Sequence, residues 1–136
     1  MNKLSFKQSI GAGAMAAGAS VAVNAALFLA FHGAGIINDT LFIQPNQPLT
    51  ILPVIISSIL PTMVASMVFF LMEKYSKSGF KNFMILSVVL LLLSFSNPFL
   101  GIKGVTIGYA LALNAMHVVI VVFLYVFIKR AIAKNN

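Results

Sequence analysis

Five polar residues stand inside stretches that are otherwise apolar, and they are where this sequence could do chemistry: Asn24, Ser57, Ser94, Asn114 and His117. Their types favour hydrogen bonding over acid–base work, since amides, hydroxyls and a neutral imidazole each offer both donors and acceptors. His117 follows Asn114 by three positions, which on a helix puts the pair on one face. An imidazole within an apolar span is costly to bury and so is a candidate for ligand binding or proton handling. The same group can also serve as interhelical glue, hydrogen-bonded to Asn or Ser on a neighbouring helix.

What is missing narrows the chemistry. There is no cysteine, so thiol redox reactions, disulfide exchange and thiolate metal sites are excluded. The two acids, Asp39 and Glu73, fall outside the apolar stretches, whereas proton-coupled small multidrug transporters depend on a membrane-embedded acid. Paired imidazole ligation of haem needs two histidines at one level. Here His32 falls at the edge of a span and His117 near the middle of another. No His, Asp and Glu cluster has metal-ligand spacing, and the methionines read as flexible packing. A lone His without an acid is a poor catalytic set, so an enzyme acting on lipid ranks last. The expectation is therefore no catalytic residue, no metal and no cofactor.

The elements that must position these residues are set by hydropathy. Of the 136 residues 60% are apolar and 8% are charged, against about 25% charged in a soluble domain, and the mean hydropathy is +1.03. A spanning helix needs about 20 apolar residues. Four stretches approach or meet that, residues 10–31, 50–72, 83–100 and 105–128, and none contains Asp, Glu, Lys or Arg. The first follows Lys3 and Lys7 as a signal peptide would, but its run exceeds the roughly 7 to 15 residues of a signal core, so it is read as a retained span. The third is shortest. Pro98 lacks an amide hydrogen and restricts Asn97, which places a helix stop there. Pro53 and Pro61 should each remove a backbone bond from the second span and tend to kink it.

The net charge of +7 would in a soluble protein raise nucleic acid as a partner. Here the charges sit at the ends of apolar runs, which points to the lipid bilayer and away from nucleic acid. Lys3, Lys7, Lys74, Lys77, Lys81, Lys129, Arg130 and Lys134 flank the termini and the second loop, and only Lys103 lies in the other two loops. Cytoplasmic flanks collect Lys and Arg, so both termini and the Glu73–Asn82 loop are expected inside, and the loops holding Asp39 and Lys103 outside. The 32–49 loop mixes polar residues with Ile36, Ile37, Leu41, Phe42 and Ile43. It is either a solvated connector or a segment lying back on the bundle.

Transmembrane helices associate through small residues and interhelical hydrogen bonds. In the first span Ala14, Gly18, Ala22 and Ala26 recur every fourth residue beside Ala12, Ala16, Ser20 and Asn24; in the last, Gly104, Gly108 and Ala112 make a similar row. Asn24 lies about two turns below Phe31, and Ser57, Ser58, Ser94 and Asn114 fall at a similar depth on their own spans. His117 and Thr62 come slightly deeper. Every span thus contributes to one polar layer in the outer half, with His117 as its floor.

The segments Leu93-Ser94-Phe95-Ser96-Asn97-Pro98 and Ala110-Leu111-Ala112-Leu113-Asn114-Ala115-Met116-His117-Val118-Val119 resemble a family of small four-span bacterial membrane proteins of unknown function. In that family a Leu-Ser and Pro segment ends the third span, and an Ala-Leu and Met-His-Val pattern lies in the fourth. The resemblance implies the span layout and weight on Asn114 and His117, but no activity.

The reading is an all-α, integral membrane, antiparallel four-helix bundle over residues 1–136, in a bacterial inner membrane with both termini cytoplasmic. Its expected function is to bind or pass a small apolar or neutral molecule in an outward-facing pocket lined by Asn24, Ser57, Ser94, Asn114 and His117. The alternative is an accessory subunit whose small-residue faces dock a second copy or another membrane protein.

Overall fold

The computed structural model describes residues 3–136. Its helices are α1 (Phe6–Gly33), α2 (Ile51–Tyr75), α3 (Gly79–Ser94), α4 (Asn97–Gly101) and α5 (Ile107–Asn135), with a two-stranded hairpin, β1 (Phe42–Gln44) and β2 (Gln47–Pro48), between α1 and α2. Segments without access to water must satisfy their backbone groups internally, which selects helices for the apolar runs. Four units are long and apolar enough to cross a membrane: α1, α2, α3 together with α4, and α5.

The helices outlast the apolar runs because capping groups extend them. Ser5 Oγ accepts from the Gln8 amide, while Gln8 Oε1 accepts from the Ser5 amide at 2.8 Å, a reciprocal box that starts α1 ahead of Ile10. Thr106 Oγ1 likewise accepts from the Tyr109 amide at the start of α5.

The prolines divide by position. Pro61 lies within α2, which runs through it, and its missing amide leaves the Ser57 carbonyl without its helical donor. Pro53, expected to disrupt the same helix, falls in the first turn of α2. Amides there have no intrahelical acceptor, so Pro53 removes nothing. In the third span the helix breaks at Phe95 and Ser96, and Pro98 opens α4, so the stop comes slightly earlier than Asn97. Ser94 donates its hydroxyl to Leu91 O within the last turn of α3, and Ser96, in the break, donates to Leu93 O, each at 2.7 Å.

α1 packs chiefly against α2 and α5, and α3 closes the bundle against α2 and α5. The termini and the α2–α3 turn meet at one end. Lys3 Nζ donates to Lys74 O at 3.1 Å, and Gln8 Nε2 donates to Asn135 Oδ1 at 2.8 Å. At the other end the 34–50 loop lies back on the bundle. Ile37 and Leu49 are buried, and Leu41 and Ile43 pack on the core. Its hairpin turns at Pro45-Asn46, with Asn46 at φ 59°, a left-handed conformation that Asn tolerates.

Two apolar cores result. One, nearer the termini, centres on Ala16, Phe69, Phe83 and Ile128; the other, under the hairpin, centres on Phe28, Ile37, Val54 and Tyr109. Polar residues separate them, including the buried Ser20, Asn24, Ser58 and Thr62. Of the two small-residue rows on α1, the one with Ala12, Ala16, Ser20 and Asn24 is buried, together with Gly13, while Ala14, Gly18, Ala22 and Ala26 are exposed. The row expected on the last span does not form. Gly104 precedes α5 in a turn with φ +72°, and Gly108 is exposed.

Candidate functional site

Asn24 is the knot of the polar layer. It is 1% exposed, and its Nδ2 donates to Ser58 Oγ at 3.0 Å and to Met116 O at 3.2 Å. One side chain of α1 thereby ties α2 and α5. Ser58 passes the chain on by donating to Val54 O at 2.8 Å. Asn24 Oδ1 is buried without a hydrogen-bond partner, a costly state that marks a position rather than a simple filler.

Asn114 and His117 part company. Asn114 Nδ2 donates to Phe95 O at 3.3 Å, capping a carbonyl released where α3 breaks. His117 instead points between helices and lines two neighbouring cavities. The larger, about 260 Å³, is a partly open space between α2, α3 and α5, lined by Ser57, Pro61, Ser87, Ser94 and His117 with apolar Ala65, Leu90, Leu91, Ile120, Val121 and Leu124; Ser57, Pro61 and Leu90 at its mouth are exposed. The smaller, about 120 Å³, lies beneath the hairpin and is lined by Asn24, Ser57 and His117 among Ile43, Leu49, Val54, Leu113, Met116 and Ile120. Ser57, His117 and Ile120 form the partition common to both. Asn114 lines neither.

The larger cavity forms where the bundle is loosest. Only 11% of the apolar window of the third span is buried, against 28% to 33% in the others. Its polar groups have fixed roles. Ser57, Ser87 and Ser94 donate their hydroxyls to Val54 O, Phe83 O and Leu91 O of their own helices. Each oxygen is left with acceptor capacity. The Ser57 carbonyl, deprived of its donor by Pro61, is a further acceptor. His117 Nδ1 is buried without a partner. Orphaned buried N–H groups are rarer than orphaned acceptors, which favours the tautomer with the proton on Nε2. The cavity then offers one imidazole donor and several acceptors on apolar walls. That set suits a neutral molecule bearing a hydroxyl, which can accept from His117 and donate to a serine.

Sequence reasoning missed Ser87, whose only signal was a polar residue one turn after Phe83 in an apolar helix. It also missed Ser66, which is fully buried against Gly13: a Cβ on Gly13 would collide with the Ser66 side chain. His32, set aside for its place at the span edge, approaches Asp39 Oδ1 through Nε2 at 3.2 Å on the exposed surface at the hairpin end of the bundle.

Compared with known families, residues 5–134 match a family of unknown function (DUF6069). No curated protein matches the chain, and no solved structure does.

Proposed function

Given that the chain belongs to this family of unknown function and has four helices long and apolar enough to cross a membrane, we propose that it binds or passes a small neutral, hydroxyl-bearing molecule. The seat is the cavity between α2, α3 and α5. The observation that carries this reading is a partly open space of about 260 Å³ lined by a histidine and three serines among apolar side chains. Binding pockets are typically apolar with a few placed polar groups, and an apolar cavity of about 150 Å³ suffices for benzene. The occupant is therefore of single-ring size. Ser57, Ser94 and His117 contact it; Asn24 closes the smaller cavity beyond the partition, and Asn114 holds the α3 break that shapes the site.

Phenol and toluene, equal in size and different in one hydroxyl, test it on the chain purified into nanodiscs. Phenol at ten times its Kd should stabilise by about 1.4 kcal/mol, and toluene by clearly less. His117→Leu should abolish the difference between the two. Equal shifts from both probes, or an unchanged difference in the variant, would overturn the reading.

The proposed setting is a bacterial inner membrane, with the termini and the Lys74–Lys81 turn cytoplasmic and the hairpin outside. The uneven Lys and Arg distribution supports it. Because the chain has no cysteine, single cysteines report topology cleanly. Gln47→Cys should react with an impermeant maleimide in intact cells, and Ser78→Cys only after lysis. The reverse pattern would invert the orientation.

A docking role is favoured by one observation, the exposed row Ala14, Gly18, Ala22 and Ala26, with open space around Gly18. Such a face suits another membrane helix or a second copy of the chain.

A further inference from the structure

A further groove of about 470 Å³ lies at the opposite end of the bundle from the hairpin, between α1 and α5. Gln8, Gly11 and Met15 form one wall, and Phe127, Arg130 and Lys134 the other. The space beside Gly11 is open, with no atom within 4 Å of where its Cβ would be. Gln8 Nε2 donates to Asn135 Oδ1 across its end at 2.8 Å. The Arg130 guanidinium sits over the Phe127 ring, 5.8 Å from its centre, and Lys134 follows one turn later.

Among the described residues neither cation has an Asp or Glu within ion-pair distance. The one ion pair between their side chains is His32–Asp39 at the far end of the bundle, and Glu73, the acid at this end, is buried beside Gly79. The groove thus has an apolar floor within the spanning segments and two cations without an Asp or Glu partner at its mouth. An acyl chain fits the floor and a phosphate fits the mouth; a free phosphate would leave the floor empty. Basic pockets between transmembrane helices bind anionic headgroups by this chemistry. We infer that this groove seats one anionic phospholipid, its headgroup on Arg130 and Lys134 and its acyl chain along Met15 and Phe127.

The chain has no tryptophan, so a Met15→Trp variant carries a single reporter in the groove, at a residue 53% exposed. Phosphatidylglycerol and phosphatidylcholine, each brominated high in the acyl chain, are compared as quenchers at equal mole fraction. Phosphatidylglycerol should quench at least about threefold more effectively, since both cations attract an anionic headgroup and neither favours a zwitterionic one. Adding Arg130→Gln and Lys134→Gln, both exposed positions, should bring the ratio near one. Gly11→Leu, which keeps the charges and fills the groove, should also lower it. Equal quenching by both lipids in the parent reporter would overturn the inference. So would a preference untouched by either change, or one that millimolar inorganic phosphate removes, which would make the site a phosphate site.

Discussion

Gly13→Ala is expected to lower the stability of the bundle by about 2 kcal/mol, the ordinary cost of overpacking a tight contact. The added methyl would overlap the side chain of Ser66 on α2, with the Thr62 carbonyl just behind it at 3.7 Å. Because Ser66 is itself fully buried, it cannot swing aside, and the α1–α2 seam must open. Unfolding by SDS in mixed micelles measures the loss. Gly18→Ala is the matched control: no atom lies within 4 Å of its Cβ position, and stability should hold. Ser66→Gly combined with Gly13→Ala should recover most of the loss. An unaffected Gly13→Ala protein would mean that the two helices are not held at this separation.

Asn24→Asp is expected to cost still more, about 3 kcal/mol, the scale of placing a carboxylate in the middle of a span. The change is nearly isosteric, so packing is kept while the chemistry inverts. Asn24 Nδ2 serves Ser58 Oγ and Met116 O, and a carboxylate presents only acceptors to that carbonyl. Asn24→Leu separates charge from lost hydrogen bonds. It gives up both donors, at about 0.6 kcal/mol each, but also removes the unpartnered Oδ1, and should cost about 1 kcal/mol or less. The same micelle titration reads all three proteins. Similar losses for Asp and Leu would show that the layer around Asn24 is hydrated enough to accept a charge.

The four spans were legible from the lengths of the apolar runs, because hydrocarbon leaves the backbone little choice but helix. The spans' ends were less so. Ser5, Gln8 and Thr106 extend their helices through caps, which hydropathy does not weigh. The hairpin was also hidden: five residues of strand are held by the fit of Ile37, Ile43 and Leu49 onto the bundle, a tertiary effect with only Pro45-Asn46 as a local sign.

Within the candidate site, the polar residues could be found because each interrupts an apolar run. Their grouping could not. Three positions on a helix leave about 60° between side chains. That suffices to turn Asn114 toward the broken end of α3 while His117 enters the space beside α2. At the end of α3 the hydroxyls of Ser94 and Ser96 bond carbonyls three residues back, and no spacing rule reports that. Pro53 and Pro61 make the complementary point, since one residue type disrupts nothing in a first turn and frees a carbonyl in mid-helix.

A hydroxyl-bearing ligand between α2, α3 and α5 is tested most directly by locating one. Para-iodophenol bound to the purified chain can be placed by the anomalous scattering of its iodine. The expected result is iodine inside the cavity, with the phenol oxygen within hydrogen-bond distance of His117 and of Ser57 or Ser94. Iodine found only on lipid-facing surfaces, with the cavity closed by its own side chains, would contradict the site.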